Sequence, residues 1–156
     1  MGTTLLVPFY SSFLARVYAD LGQFDDAWRC MSEATTAVET TKERWFEAEV
    51  HRTAGQIVLK SPKPDAAQAE AYFTRALAIA RVQQAKSWEL RAATSMARLW
   101  RDQGKLPDAR VLLAAVYGRF TEGLGHARLE GGQGLAPGVV FMTAPLARSQ
   151  VQIAAG

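Results

Sequence analysis

A chain of 156 residues, 49% of them hydrophobic, can bury one core, and its length asks for no second domain. Eighteen Lys and Arg against 15 Asp and Glu leave a net charge of +3, a small excess that does not call for nucleic acid. A single cysteine, Cys30, excludes an intrachain disulfide and a cysteine metal cluster, and suits a reducing, cytoplasmic setting.

The opening residues, MGTTLLVPFY, have no basic region ahead of their apolar run, and Pro8 interrupts it, so they read poorly as a secretory signal. Leu6 stands where a myristoylation motif needs Ser or Thr. No apolar run approaches the roughly 18 residues that suggest a membrane span. A soluble chain, with no membrane partner, is expected.

The first predicted element is a helical hairpin, LARVYADLGQFDDAWRCMSEA, from Leu14 to Ala34. Leu14, Ala15 and Tyr18 recur at helical spacing, and Gly22 falls where a helix C-terminus accepts positive φ. Asp25 and Asp26 then open a second helix, whose N-terminal dipole favours acidic side chains. The next hairpin, HRTAGQIVLKSPKPDAAQAEAYFTRA, puts Gly55 in the place of Ala15 and Ala69 in that of Ala27, followed by Phe73 and Ala76. Its turn is longer by two residues; Pro62 and Pro64 stiffen it, and Asp65 is placed to cap the following helix.

The last hairpin, MARLWRDQGKLPDARVLLAAV, from Met96 to Val116, aligns with the first without a gap. Ala97 falls on Ala15, Trp100 on Tyr18, Gly104 on Gly22, Ala109 on Ala27 and Leu113 on Met31, and Pro107 with Asp108 opens its second helix. Small residues at the matched positions let paired helices approach closely. The copies stand at Ala15, Gly55 and Ala97, in steps of 40 and 42 residues.

This order of small residue, aromatic, Gly and Ala resembles the tetratricopeptide repeat, whose period is shorter, roughly 34 residues. The leading Trp and the closing Pro of that repeat are missing here. The resemblance implies an all-α fold, a right-handed α-α superhelix of about three hairpins over residues 1–124. A Gly/Pro/Ala-rich tail, 125–156, is expected to be mobile or poorly packed.

Longer words narrow the likeness. TKERWFEAEVHRTAGQIVL (Thr41 to Leu59), AYFTRALAIARVQQAKSWELRAATSMARLWRDQGKLPDARVLL (Ala71 to Leu113) and VYGRFTEG (Val116 to Gly123) resemble the C-terminal repeat region of large bacterial multidomain regulators. In those proteins a class III adenylate/guanylate cyclase domain or a DNA-binding domain precedes an AAA-type ATPase module. The resemblance implies a non-enzymatic interaction or regulatory module, partnered by a protein or peptide and by the upstream domains of a parent protein. The alternative is a chain classed with a cyclase or ATP-binding parent whose catalytic domains it lacks.

Beyond Gly123 the likeness stops, where relatives continue with an acidic segment resembling TPDLKEAKALL. Codons for HARLEGGQG can be chosen so that a one-base shift reads TPDLKEAKA, so a frameshifted tail is expected, with a divergent natural terminus as the alternative. GVVFMTA in that tail is an uncharged, β-prone window.

Chemistry-bearing residues are sparse. GLGHARLEGGQG lacks the Lys-Ser/Thr pair of a phosphate loop, so no nucleotide cofactor is expected. His51 and His126 have no companions at metal-ligand spacing, and His51 is expected on a helix surface. Ser87, Ser95 and Ser149 lie in no nucleophile elbow, and Cys30 reads as a packing residue. Glu47 and Glu49, two apart on a helix, point to different faces. In tetratricopeptide-like arrays the first helix of each hairpin lines a concave groove, and this register selects Arg16, Arg52, Lys60, Arg91, Arg98 and Arg101. Such a groove suits an acidic peptide, although it does not resemble the asparagine-bearing carboxylate clamps, since this chain contains no asparagine. A solvated helix face is the competing reading. Trp100 is the aromatic spacer of a repeat, and Trp88 stands between interhelical packing and the groove edge.

Overall fold

The computed structural model describes the backbone of residues 6–129 and the side-chain surroundings of residues 6–122. The described chain is helical, with α1 Val7–Asp20, α2 Phe24–Thr41, α3 Glu47–Lys60, α4 Ala66–Val82, α5 Lys86–Asp102 and α6 Leu106–Leu129. Consecutive helices pack in pairs, α1 with α2, α3 with α4 and α5 with α6, and α3 lies against α1 on one side and α5 on the other. The all-α reading holds. α6 runs through Gly123 and Gly125 to Leu129, past the expected boundary at 124. The frameshift expectation and the GVVFMTA window concern residues that lie largely or wholly outside those described.

The turns form as the local chemistry requires. Gly22 has φ +77° and Gly104 φ +79°. Behind each, two backbone bonds close the helix end: Gly22 N–H to Ala19 O at 3.1 Å and Gln23 N–H to Tyr18 O at 2.8 Å, matched by Gly104 to Arg101 at 3.0 Å and Lys105 to Trp100 at 2.8 Å. This is the Schellman arrangement, which satisfies carbonyls that a helix end would leave orphaned. After α4 the same arrangement recurs without glycine: Gln84 takes φ +54° and Ala85 N–H reaches Ala80 O at 2.8 Å. Asp65 caps α4, its carboxylate accepting from Gln68 N–H at 3.0 Å.

Alanines bring the pairs close together. Ala15, Ala27, Ala97 and Ala109 are all buried, and Gly55 does the same work in the middle pair. A Cβ on Gly55 would meet the Phe73 ring at 2.6 Å, so only glycine fits against that fully buried aromatic. Two hydrophobic clusters result. One gathers Ala15, Met31, Val38, Phe46, Val50 and Ile57, the other Val58, Phe73, Leu77, Leu90, Met96 and Phe120, and Trp28 and Tyr72 pack against both. Cys30 is a buried member of the first, and burial pushes its thiol up, with Glu33 adding to the effect. A thiol in that setting is a packing group rather than a nucleophile. Trp100 is half-buried and its indole N–H donates to Glu70 at 3.1 Å, a spacer with a polar anchor.

Candidate functional site

The side-by-side order of α1, α3 and α5 collects polar residues into one cleft of about 210 Å³. α3 supplies its centre. Glu49 sits in the first turn, where the helix dipole favours a carboxylate, and it is held by two arginines. Arg52 grips it in bidentate fashion, Nε to Oε2 at 2.7 Å and Nη2 to Oε1 at 2.5 Å, and also donates to Ser95 Oγ at 3.3 Å. Arg91, reaching over from α5, meets Glu49 Oε1 at 2.8 Å.

Aromatic rings form the walls. Phe9 and Phe13 come from α1, Phe46 from the turn before α3 and Trp88 from α5. Phe46 meets Phe9 and Trp88 edge-on, each with ring centroids 5.5 Å apart, and the Arg91 guanidinium lies 5.5 Å from the centre of the Trp88 ring. Trp88 therefore serves both packing and cleft. Arg16 of α1 lines the same cleft without an ion pair among the described residues, although its field also reaches Asp20.

Electrostatically the cleft is positive, because Arg52 and Arg91 share the Glu49 carboxylate and Arg16 adds a third guanidinium. Burial pulls the Arg91 pKa below the usual arginine value; Glu49 opposes that, while Arg52 and Arg16 add to it by repulsion. An arginine does not release its proton under these conditions, so Arg91 stays charged in the cleft.

The structure brings together only part of the predicted stripe. Arg16, Arg52 and Arg91 meet, with Arg52 consumed by Glu49 and Ser95. Lys60 lies at the far end of α3 and pairs with Asp20 of α1, tying the two helix ends together. Arg98 is exposed and does not line the cleft, and Arg101 pairs with its neighbour Asp102 at 2.9 Å. Glu47 and Glu49 do part company: Glu47 approaches Arg44 at 3.9 Å on the surface while Glu49 turns inward.

His51 is not on an open helix surface. It is half-buried and stacked against Tyr72 with centroids 6.3 Å apart, and burial together with Arg75 brings its pKa down to about 4. The side chain of His126 and residue Ser149 lie outside the described residues. Among the described residues, no group of three or more His, Cys, Asp or Glu stands at metal-binding separation.

Sequence reasoning missed Glu49, Ser12 and Thr53, all of which line the cleft. Two signals were present. Glu49 and Arg52 stand at i,i+3 on one helix, a pairing distance. The repeat register holds the other: stepping by 40 and 42 residues makes Phe9, Glu49 and Arg91 equivalent, and equivalent positions on stacked helices are neighbours.

A second buried glutamate stands at the opposite seam. Glu89 Oε1, in the first turn of α5, accepts from Arg81 of α4 at 2.9 Å and Arg119 of α6 at 2.7 Å. Burial disfavours its ionised form, but the two arginine hydrogen bonds outweigh that and hold its carboxyl below the usual range. Larger hollows of about 500 and 440 Å³ lie against Trp100 and Leu112 and against Arg29 and Thr36; both are more open to solvent than the cleft.

No described helix is long and apolar enough to cross a membrane. Comparison with family models, with curated proteins and with solved structures finds no match for this chain.

Proposed function

We propose that the chain is a non-enzymatic protein-interaction module, a right-handed superhelical stack of three tetratricopeptide-like hairpins whose α1, α3 and α5 face takes an acidic partner peptide. The observation that carries this reading is the excess of guanidinium over carboxylate in the aromatic-walled cleft, with Arg16 unpaired among the described residues. Arrays of this type present the first helices of successive hairpins to a partner, and the order α1, α3, α5 supports that arrangement. Tyr10, Leu14, Val17 and Leu21 form an exposed apolar stripe on α1, the kind of face that a repeat stack covers with a neighbouring unit or a partner. The likeness of Thr41 to Leu59 and Ala71 to Leu113 to bacterial regulators supports a role in controlling ATPase or cyclase domains of a parent protein.

A fluorescein-labelled Glu-rich decapeptide, titrated with the full chain at low salt, tests the reading. Arg16→Glu is expected to weaken binding about tenfold or more, and the effect shrinks as salt screens it. Arg98→Glu, away from the cleft, serves as the control and should change affinity less than about twofold. Equal losses from the two variants would remove the cleft from the proposal, and ATP turnover by the purified chain would overturn its non-enzymatic part.

A further inference from the structure

Two hydroxyls in the cleft have no partner among the described residues. Ser12 Oγ on α1 and Thr53 Oγ1 on α3 are buried, their residues 2% and 1% exposed, and neither makes a hydrogen bond. A buried hydroxyl without a partner is costly and is seldom kept without a use. Helical Ser and Thr often relieve this by bonding back to the preceding turn, as Thr35 does to Met31 O at 3.0 Å. Ser12 and Thr53 do not, and both line the same cleft as the Arg16 and Arg91 guanidiniums.

The space beside them is small. About 210 Å³ holds roughly seven waters at about 30 Å³ each, or a covalent molecule of about ten heavy atoms. A peptide would fill it with a single residue and leave the rest outside. The walls are aromatic, so the occupant's body is apolar, and the polar groups other than Glu49, whose carboxylate Arg52 and Arg91 already hold, suit one anionic oxygen pair. Guanidinium forks match a carboxylate, and hydroxyl rotors turn to donate to it at little cost.

We infer that this cleft binds a small aromatic monocarboxylate, its carboxylate held by Arg16, Arg91, Ser12 and Thr53 and its ring between Phe13 and Trp88. The assignment goes beyond the partner-peptide reading, because the ligand is a free small molecule and needs no partner chain. A monocarboxylate matches the remaining donors better than a phosphate does, since Glu49 already engages two of the three guanidiniums and Arg16 alone of the three has no ion pair among the described residues.

Phenylacetate is the probe, titrated into the full chain and followed by tryptophan fluorescence and ligand-observed NMR. Binding is expected with a Kd on the order of 0.1–1 mM, as suits about ten heavy atoms. Phenylacetamide, which keeps the shape and loses the charge, and acetate, which keeps the charge and loses the ring, should each bind at least about tenfold more weakly. Arg16→Gln should weaken phenylacetate by a similar factor.

Thr53→Val supplies a readout that a purely structural residue would not give. It should weaken phenylacetate binding while raising the melting temperature, because it deletes an unsatisfied buried hydroxyl at constant shape. Ser12→Ala should act in the same direction. Phenylacetamide binding as well as phenylacetate, or no response to about 10 mM phenylacetate, would overturn the inference. So would tighter binding by acetyl-Gly-Gly-Phe as the free acid, which would make the cleft an end-recognition subsite for a peptide and leave the partner-binding reading standing.

Discussion

Glu49 and Glu89 are built alike and used differently. Each sits in the first turn of the leading helix of a hairpin, each is almost fully buried, and each meets two arginines. The arginines differ in their access to water. Around Glu49 the Arg52 and Arg91 side chains are 7% and 21% exposed, whereas around Glu89 the Arg81 and Arg119 side chains are 49% and 42% exposed. Glu89 ties α4, α5 and α6 together, and its two arginines reach water. Glu49 anchors a region that stays positive, with unpartnered hydroxyls beside it. A buried carboxylate with two arginines is thus a fastening in one place and the floor of a binding cleft in the other, and solvent access decides which.

The sharpest way to break the comparison is to remove each acid in turn. Glu49→Ala strands Arg52 in the interior, and the loss of one member of a buried pair costs about 3–5 kcal/mol. Glu89→Ala should cost about 1 kcal/mol, because its half-exposed arginines swing back to water. Chemical denaturation of both variants measures the difference. Equal costs would mean that exposure does not separate the two clusters.

A smaller effect separates two glycines, Gly55 in α3 and Gly118 in α6. Gly55→Ala drives a methyl into the Phe73 ring, and Phe73 is too well buried to yield. Overpacking of about 1–3 kcal/mol should outweigh the helix-propensity gain of roughly 1 kcal/mol that alanine brings. Gly118→Ala meets nothing within 4 Å, so the propensity gain of about 0.5–1 kcal/mol should appear undiminished. Opposite signs in the two melting shifts are the expected result.

These positions also show what the sequence could reveal. Gly22, Gly104, Asp65 and the matched alanines were legible because each answers to its own neighbours along the chain: a turn needs positive φ, a helix start needs a cap, and a close helix pair needs a small side chain. The cleft was legible only in part. Arg16 and Arg91 carry a charge that invites attention, but Arg52 reads the same and is spent on Glu49, one turn away. Ser12 and Thr53 look like any other helical hydroxyls, and their lack of partners is a property of packing across α1, α3 and α5. His51 was misplaced for the same reason, since Tyr72 covers it from another helix.

Acid separates His51 of α3 from the Glu89 seam by pH. His51 of α3 has its pKa lowered to about 4 by burial and by Arg75. The unfolded chain therefore takes up a proton first, and stability that is complete above about pH 6.5 declines as the pH falls from there towards the folded value. Glu89 also has a folded pKa below its unfolded one, so its contribution is present above the unfolded carboxylate range and is lost at lower pH, as the folded carboxyl titrates. His51→Phe keeps the ring stacking and should flatten the decline between about pH 6.5 and pH 5, while Glu89→Gln should flatten only the more acidic limb. Stability against pH for the two variants checks this, and a single shared limb would contradict it.

The mildest change concerns the seam that leads into α5. Gln84 holds the left-handed conformation that Gly22 and Gly104 adopt at the turns after α1 and α5, φ +54° beside +77° and +79°. All three use the same pair of backbone bonds, so the turn is required whichever residue stands there. A side chain in that region costs roughly 1–2 kcal/mol against glycine, and the greater freedom of glycine in the unfolded chain takes back part of it. Gln84→Gly should therefore raise stability by about 0.5–1 kcal/mol and leave Glu89 and its arginines as they are. Because the cleft lies between α1, α3 and α5, binding there should not change; a loss of binding would show that this turn sets the position of Trp88 and Arg91.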